Sequence, residues 1–276
     1  MLVEPLKIWK ECKALAGEYY AVMSTAKKEG RTLAWSGVGA PGEILRTMEI
    51  VPIYGEPYGA ICGASKQNHE LLEATEQHGY GRNFCSYARS FIGSALINKG
   101  PLGGMPEPDL IISCKEACNT HISWWEVLSR HFNKPFYVMD QPLIQRGVRQ
   151  QHIDYMKAQL EGLIDFLERV TGRKLNEEPF VEAVTLSHEA RRLWDQVLSY
   201  CKRKPSLLNM KSQLTLMVPA VGLKGTQRAV DFYKRLVEEL EDPDPVAYVA
   251  CITVKPEESN LARARHKPAV EVHPIA

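Results

Sequence analysis

Residues 32–54 read TLAWSGVGAPGEILRTMEIVPIY, and this stretch decides the fold. Thr32 to Ser36 is a short apolar run that stops at the turn Gly37-Val38-Gly39, as a buried strand does. Pro41 and Glu43 suit the first turn of a helix, where a missing N–H costs nothing and an acid meets the positive dipole end. Ile44, Leu45 and Met48 give that helix an apolar face, and residues 50–54 form a second β-branched apolar run. Strand, helix and strand within so few residues make a parallel unit.

The same alternation continues downstream. Residues 67–78 and 85–96 read as helices, 109–113 as a strand, 119–131 as a helix and 136–139 as a strand. Tyr54-Gly55-Glu56-Pro57 reads as a loop. Before the first strand, Leu6, Trp9, Leu15, Tyr19 and Met23 recur at roughly helical spacing, and Gly30 ends the run. The expected class is therefore α/β: a Rossmann-like, mostly parallel sheet domain over residues 31–150, preceded by an N-terminal helix (1–30). Ligands in such sheets lie at the carboxyl ends of the strands. Ser36, Glu56, Cys114 and Cys118 all fall there.

From residue 151 the strand pattern stops. Met156, Leu160, Leu163, Ile164, Leu167 and Val170 make one helical stripe, and Phe180, Val184, Leu193, Trp194, Val197 and Leu198 a second. Thr226 is a candidate N-cap for a third helix through Leu240. Residues 151–241 read as a helical connector and 242–276 as an atypical tail. No second α/β domain is expected there. The stripes around Leu163 and Trp194 are accordingly expected to lack a packing partner, leaving the isolated chain prone to self-association.

Composition narrows the function. Over 276 residues Lys+Arg number 34 and Asp+Glu 33, so nothing favours general nucleic-acid binding. No apolar run approaches bilayer length, and the first residues carry no signal-peptide pattern; a cytoplasmic location is expected. The Gly-rich turn at residues 37–39 lacks the full dinucleotide fingerprint, so NAD is not implied. No His/Cys cluster supplies the three ligands of a zinc hydrolase.

Seven cysteines remain. Cys85 and Cys118 stand at expected helix starts, where free N–H groups and the helix dipole favour thiolate, the form that binds iron. Cys114 ends a strand and is expected to pack there. Cys201 lies in a Lys/Arg-rich context and reads as incidental; Cys251 receives no role. Arg89, one turn beyond Cys85, suits either an anionic group or a salt bridge. Asn119 and Thr120 suit either hydrogen bonds to a neighbouring thiolate sulfur or helix capping. His121 reads as either a further site candidate or a partly buried helix residue, and Trp124 and Trp125 as core and interface residues.

The segment FCSYARSFIGSAL (84–96), with PDLIISCKEACNTHISWWEVLSRHFNKPFYVMDQP (108–142), resembles the 2-hydroxyacyl-CoA dehydratase and benzoyl-CoA reductase family. YMKAQLEGLIDFLERVTGRK (155–174) and LMVPAVGLKGTQRAVDFYKRLVEELED (216–242) are similar too. The resemblance runs over roughly residues 30–241. It implies two Rossmann-like domains joined by helices, and a [4Fe-4S] cluster held by three cysteines. Two of these correspond to Cys85 and Cys118, with Asn119 beside the cluster; the third belongs to the second domain and is not identified here. It also implies an acyl-CoA substrate, a second family subunit and a separate ATP-dependent iron–sulfur activator that delivers one electron at low potential. Ser36 and Glu56 resemble a polar contact and a proton-transfer group near the substrate. Missing the second domain, the chain is expected to be either the iron–sulfur subunit of such a radical enzyme or a truncated, non-catalytic partner subunit.

Overall fold

The computed structural model describes residues 6–115, 118–203 and 206–241. The tail 242–276, with Cys251, lies outside the described residues. The order of elements is α1 (Trp9–Ala26), β1 (Thr32–Ser36), α2 (Gly42–Thr47), β2 (Ile50–Tyr54), α3 (Gly55–Ala64), α4 (Asn68–Gln77), α5 (Ser86–Ile97), β3 (Leu110–Cys114), α6 (Thr120–Phe132) and β4 (Phe136–Met139). Then come α7 (Gln150–Thr171), α8 (Glu177–Ser199), α9 (Met210–Leu216), α10 (Val218–Gly222) and α11 (Gln227–Glu241).

The four strands form one parallel sheet in the order β2-β1-β3-β4, giving the α/β fold expected. Leu33 pairs with Val51, Trp35 with Ile111 and Ile112 with Tyr137. Alternate residues feed opposite layers. Leu33, Trp35, Val51, Ile53 and Ile111 pack with Phe91, Trp124 and Trp125 on one face. Ala34, Ile50, Tyr54, Leu110 and Ile112 pack with Ile44, Leu45, Leu163 and Leu167 on the other. Pro52 is tolerated because β2 is an edge strand, where a missing N–H breaks no ladder.

The sequence order reverses between β1 and β3. From β1 the chain passes to β2 on one side and then returns to β3 on the other. A sheet of this kind opens a crevice at such a switch point, beyond the carboxyl ends of the two strands. Here those ends are Ser36 and Cys114.

Two sequence expectations are corrected. Residues 55–57 do not form a loop: they are the first turn of α3. Pro57 fits there because the first N–H groups of a helix have no intrahelical acceptor in any case. The apolar stripes find partners over part of their length, while Val170 and Val184 stay exposed and Met156, Leu160, Ile164 and Phe180 line an open apolar groove. Leu163 and Leu167 are fully buried against the sheet. Trp194 and Val197 are buried in a third core with Cys12 and Leu15 of α1 and Val230, Phe232, Tyr233 and Leu236 of α11. The N-terminal helix closes this layer, and ion pairs Glu18–Arg228 and Glu11–Arg235 tie its outer face to α11.

Candidate functional site

At the switch point the side chain of Glu56, in the first turn of α3, reaches across to the turn after β1. The Val38 N–H donates to both carboxylate oxygens, each at 3.1 Å. His121, in the first turn of α6, places Nε2 3.2 Å from Glu56 Oε1 and Nδ1 3.2 Å from the Cys114 carbonyl oxygen. Because both ring nitrogens face acceptors, the arrangement suits imidazolium. The hydrogen bond to Glu56 raises the His121 pKa to about 9, against the lowering effect of burial. Gly37 makes room for the pair, since a Cβ there would stand 3.2 Å from both Glu56 Oε1 and His121 Nδ1.

Lys224, between α10 and α11, grips the same turn from the opposite side. Its ammonium donates to the carbonyls of Val38 and Ala40 and stands 5.6 Å from the centre of the Tyr54 ring. Residues 37–40 are thus fixed through their N–H by α3 and through their carbonyls by the helical layer.

Close packing sets where α3 begins. A Cβ on Gly59 would meet Tyr87 Cα at 3.0 Å, so α3 lies against the start of α5. Trp124 and Trp125 of α6 are fully buried and stack at 4.6 Å, as core residues. The first turns of α3 and α6 thus meet at this end of the sheet through Glu56 and His121, and the start of α5 lies against α3.

Cys85 is the N-cap residue of α5 and is exposed; Cys118 precedes α6 and is exposed as well. The Cys118 carbonyl accepts the His121 N–H at 3.2 Å. Asn119 occupies the N-cap of α6 without a side-chain capping bond, and Thr120 begins the helix. Cys114 is fully buried at the end of β3. Cys201 is half-buried, and burial raises its pKa. Ser36, the last residue of β1, is wholly buried, and its Oγ has no hydrogen-bond partner among the described residues. Arg89 turns away from the site: its buried guanidinium pairs with Glu76 and donates to the Leu72 carbonyl, pinning α4 to α5.

Beyond the ends of β3 and β4 lies a cleft of about 740 Å³, lined by Lys115, Cys118, Asn119, Asp140, Gln141 and Tyr155 among others. Asp140 accepts from the Tyr155 hydroxyl at 2.8 Å and faces Lys115 at 3.5 Å. The Tyr155 bond, with Lys115 adding to it, holds the Asp140 carboxyl below its ordinary pKa. The cleft thus sets a thiol and a cation beside mixed polar and apolar walls.

Two exposed thiols at helix starts are chemically right for iron–sulfur coordination. Among the described residues, however, no group of three or more His, Cys, Asp or Glu side chains is placed to hold a metal ion. The described donors do not complete a cluster site. Also among the described residues, no helix is long and apolar enough to cross a membrane.

Residues 38–265 match the family described as 2-hydroxyglutaryl-CoA dehydratase, D-component. The chain is 35% identical over 232 residues to the (R)-2-hydroxyisocaproyl-CoA dehydratase alpha subunit of Clostridioides difficile, covering 83% of this chain and 56% of that protein. It is 31% identical over 218 residues to the (R)-phenyllactyl-CoA dehydratase alpha subunit of Clostridium sporogenes, covering 79% and 54%. One polypeptide of the benzoyl-CoA reductase of Thauera aromatica is 23% identical over 240 residues, covering 84% and 55%. The chain spans about half the length of the curated relatives it matches. With the family match extending over most of its residues, and a parallel sheet whose switch point gathers Glu56, His121 and Cys118, the chain belongs to the 2-hydroxyglutaryl-CoA dehydratase D-component family.

Proposed function

We propose that this chain is the iron–sulfur subunit of an enzyme that acts on acyl-CoA thioesters by low-potential single-electron transfer, as a 2-hydroxyacyl-CoA dehydratase or benzoyl-CoA reductase type system. The observation that carries this reading is the Glu56 carboxylate, fixed at the switch point and linked through His121 to the segment bearing Cys118. In this reading Cys85 and Cys118 are two ligands of a [4Fe-4S] cluster whose remaining donor lies outside the described residues. Bound there, the cluster would supply one electron at a time to the thioester. Glu56 is the proton-transfer group in this reading: the Val38 N–H and His121 hold its carboxylate at the switch point while 20% of its side chain stays exposed. Asn119 lies beside Cys118 with its side chain free of capping duty, available for a hydrogen bond to sulfur. Ser36, the last residue of β1, precedes the turn that Glu56 holds and would supply a polar contact near the substrate in this reading. The working assembly includes a second family subunit and an ATP-dependent iron–sulfur activator.

Anaerobic reconstitution with iron and sulfide tests the ligand assignment. Iron per chain should fall in Cys85→Ser and in Cys118→Ser; unchanged iron in both variants overturns it. The absence of a three-donor group among the described residues favours one further reading, a non-catalytic partner subunit. That reading expects stable hetero-oligomers with little iron on this chain, and an active homomer would remove it.

A further inference from the structure

A carboxylate in the first turn of a helix normally turns back to that helix's own free N–H groups. Glu56 instead leaves α3, accepts from Val38 in another element and meets His121 from a third. His121 is well placed to cause this. Its ring is nearly buried, with 6% of the side chain exposed against 20% for Glu56. Its Nδ1 is anchored on the Cys114 carbonyl, which fixes the ring plane and aims Nε2 at the carboxylate. Its own N–H is held by the Cys118 carbonyl. The ring therefore bridges the end of β3, the start of α6 and the side chain of α3. Gly37 keeps the space beside it clear.

We propose that His121 is a positioning residue: it holds the Glu56 carboxylate against the Val38 amide and couples that carboxylate to the cysteine-bearing end of β3. The functional meaning rests on Glu56 as the proton-transfer group, but the coupling itself does not. A histidine that merely filled space would be replaceable by phenylalanine with no effect on the turn after β1. A positioning histidine would not.

Backbone amide exchange at Val38 separates the two on the full chain. His121→Phe should speed exchange at Val38 about tenfold, the size expected for losing a charge-assisted hydrogen bond. Glu56→Ala should do the same, and the double variant should be no faster than Glu56→Ala alone. His121→Gln, which keeps one N–H donor, should recover part of the protection. Unchanged Val38 exchange in His121→Phe overturns the proposal. So does an additive double variant, or a His121→Gln variant no better than Phe. If the phenylalanine ring prevents folding, Glu56→Ala is compared with Glu56→Ala/His121→Gln. No further acceleration is then expected, and an additive one overturns the proposal. Exchange at Val38 does not depend on iron or thioester, so the result stands whether or not the proposed activity does.

Discussion

Gly55 lies so close to Trp124 that a Cβ placed on it would stand 2.5 Å from the Trp124 ring edge and 2.6 Å from that of Trp125. The first residue of α3 is pressed onto the stacked tryptophans of α6, and this contact decides where Glu56 begins its reach. Gly55→Ala should cost about 1–3 kcal/mol by overpacking a core with no room to yield. Gly63→Ala, in the same helix with nothing within 4 Å, should stabilise by about 0.4–1 kcal/mol. Urea unfolding of the two variants checks both signs.

His121 gives the fold a dependence on alkaline pH. Its folded pKa, about 9, lies above the ordinary 6.5, so its contribution is complete below 6.5 and is lost as pH rises through about 9. Glu56→Gln removes the main cause. Unfolding free energies of the reduced, iron-free chain should therefore fall between pH 6 and 9.5 by on the order of 1–3 kcal/mol, and by much less in Glu56→Gln.

Lys224→Met keeps the aliphatic stem that packs near Gly42 and removes the ammonium that holds the Val38 and Ala40 carbonyls. The variant should lose about 1–3 kcal/mol and exchange faster at residues 37–40. Lys224→Arg, which retains charge and donors, should lose less.

In the cleft, Asp140 is held below its ordinary pKa first by the Tyr155 hydroxyl. Tyr155→Phe should let the Asp140 carboxyl titrate closer to that ordinary value, read by carboxyl carbon chemical shifts. The sign is that of a depressed acid: its contribution is present above the ordinary value and is lost as pH falls through the depressed one. Both groups are substantially exposed, so overall stability should move little.

The sheet is legible because each strand is a short apolar run closed by a turn signal, and the alternation with helical stripes leaves few topologies. The start of α3 is not. Gly-Glu-Pro is a turn signature, and the helix forms because Gly55 and Gly59 allow close packing on Trp124 and Tyr87. Local preference there yields to tertiary contact. His121 is hard to single out for a related reason. A lone histidine on a helix is ordinary, and its partner Glu56 reads as a loop residue far away in sequence. Arg89 offers two chemistries on paper, and only the position of Glu76 on α4 chooses the buried pair. The stripes of α7 and α8 are legible as helices, but not what they pack against, because one of those partners is the helix at the opposite end of the described chain.

That last arrangement has a consequence for synthesis. Glu11 meets Arg235, the Lys7 N–H meets Glu239, and Leu15 shares a core with Leu236. The first described helix to leave the ribosome must therefore wait for the last described one before its outer apolar face is covered. Strands β1 to β4 have all been made much earlier and can pair with one another, although the turn after β1 also waits for Lys224. During that interval Leu6, Cys12 and Leu15 remain a sticky surface on a nascent chain. The vulnerable period in making this protein is set by the distance along the message between α1 and α11.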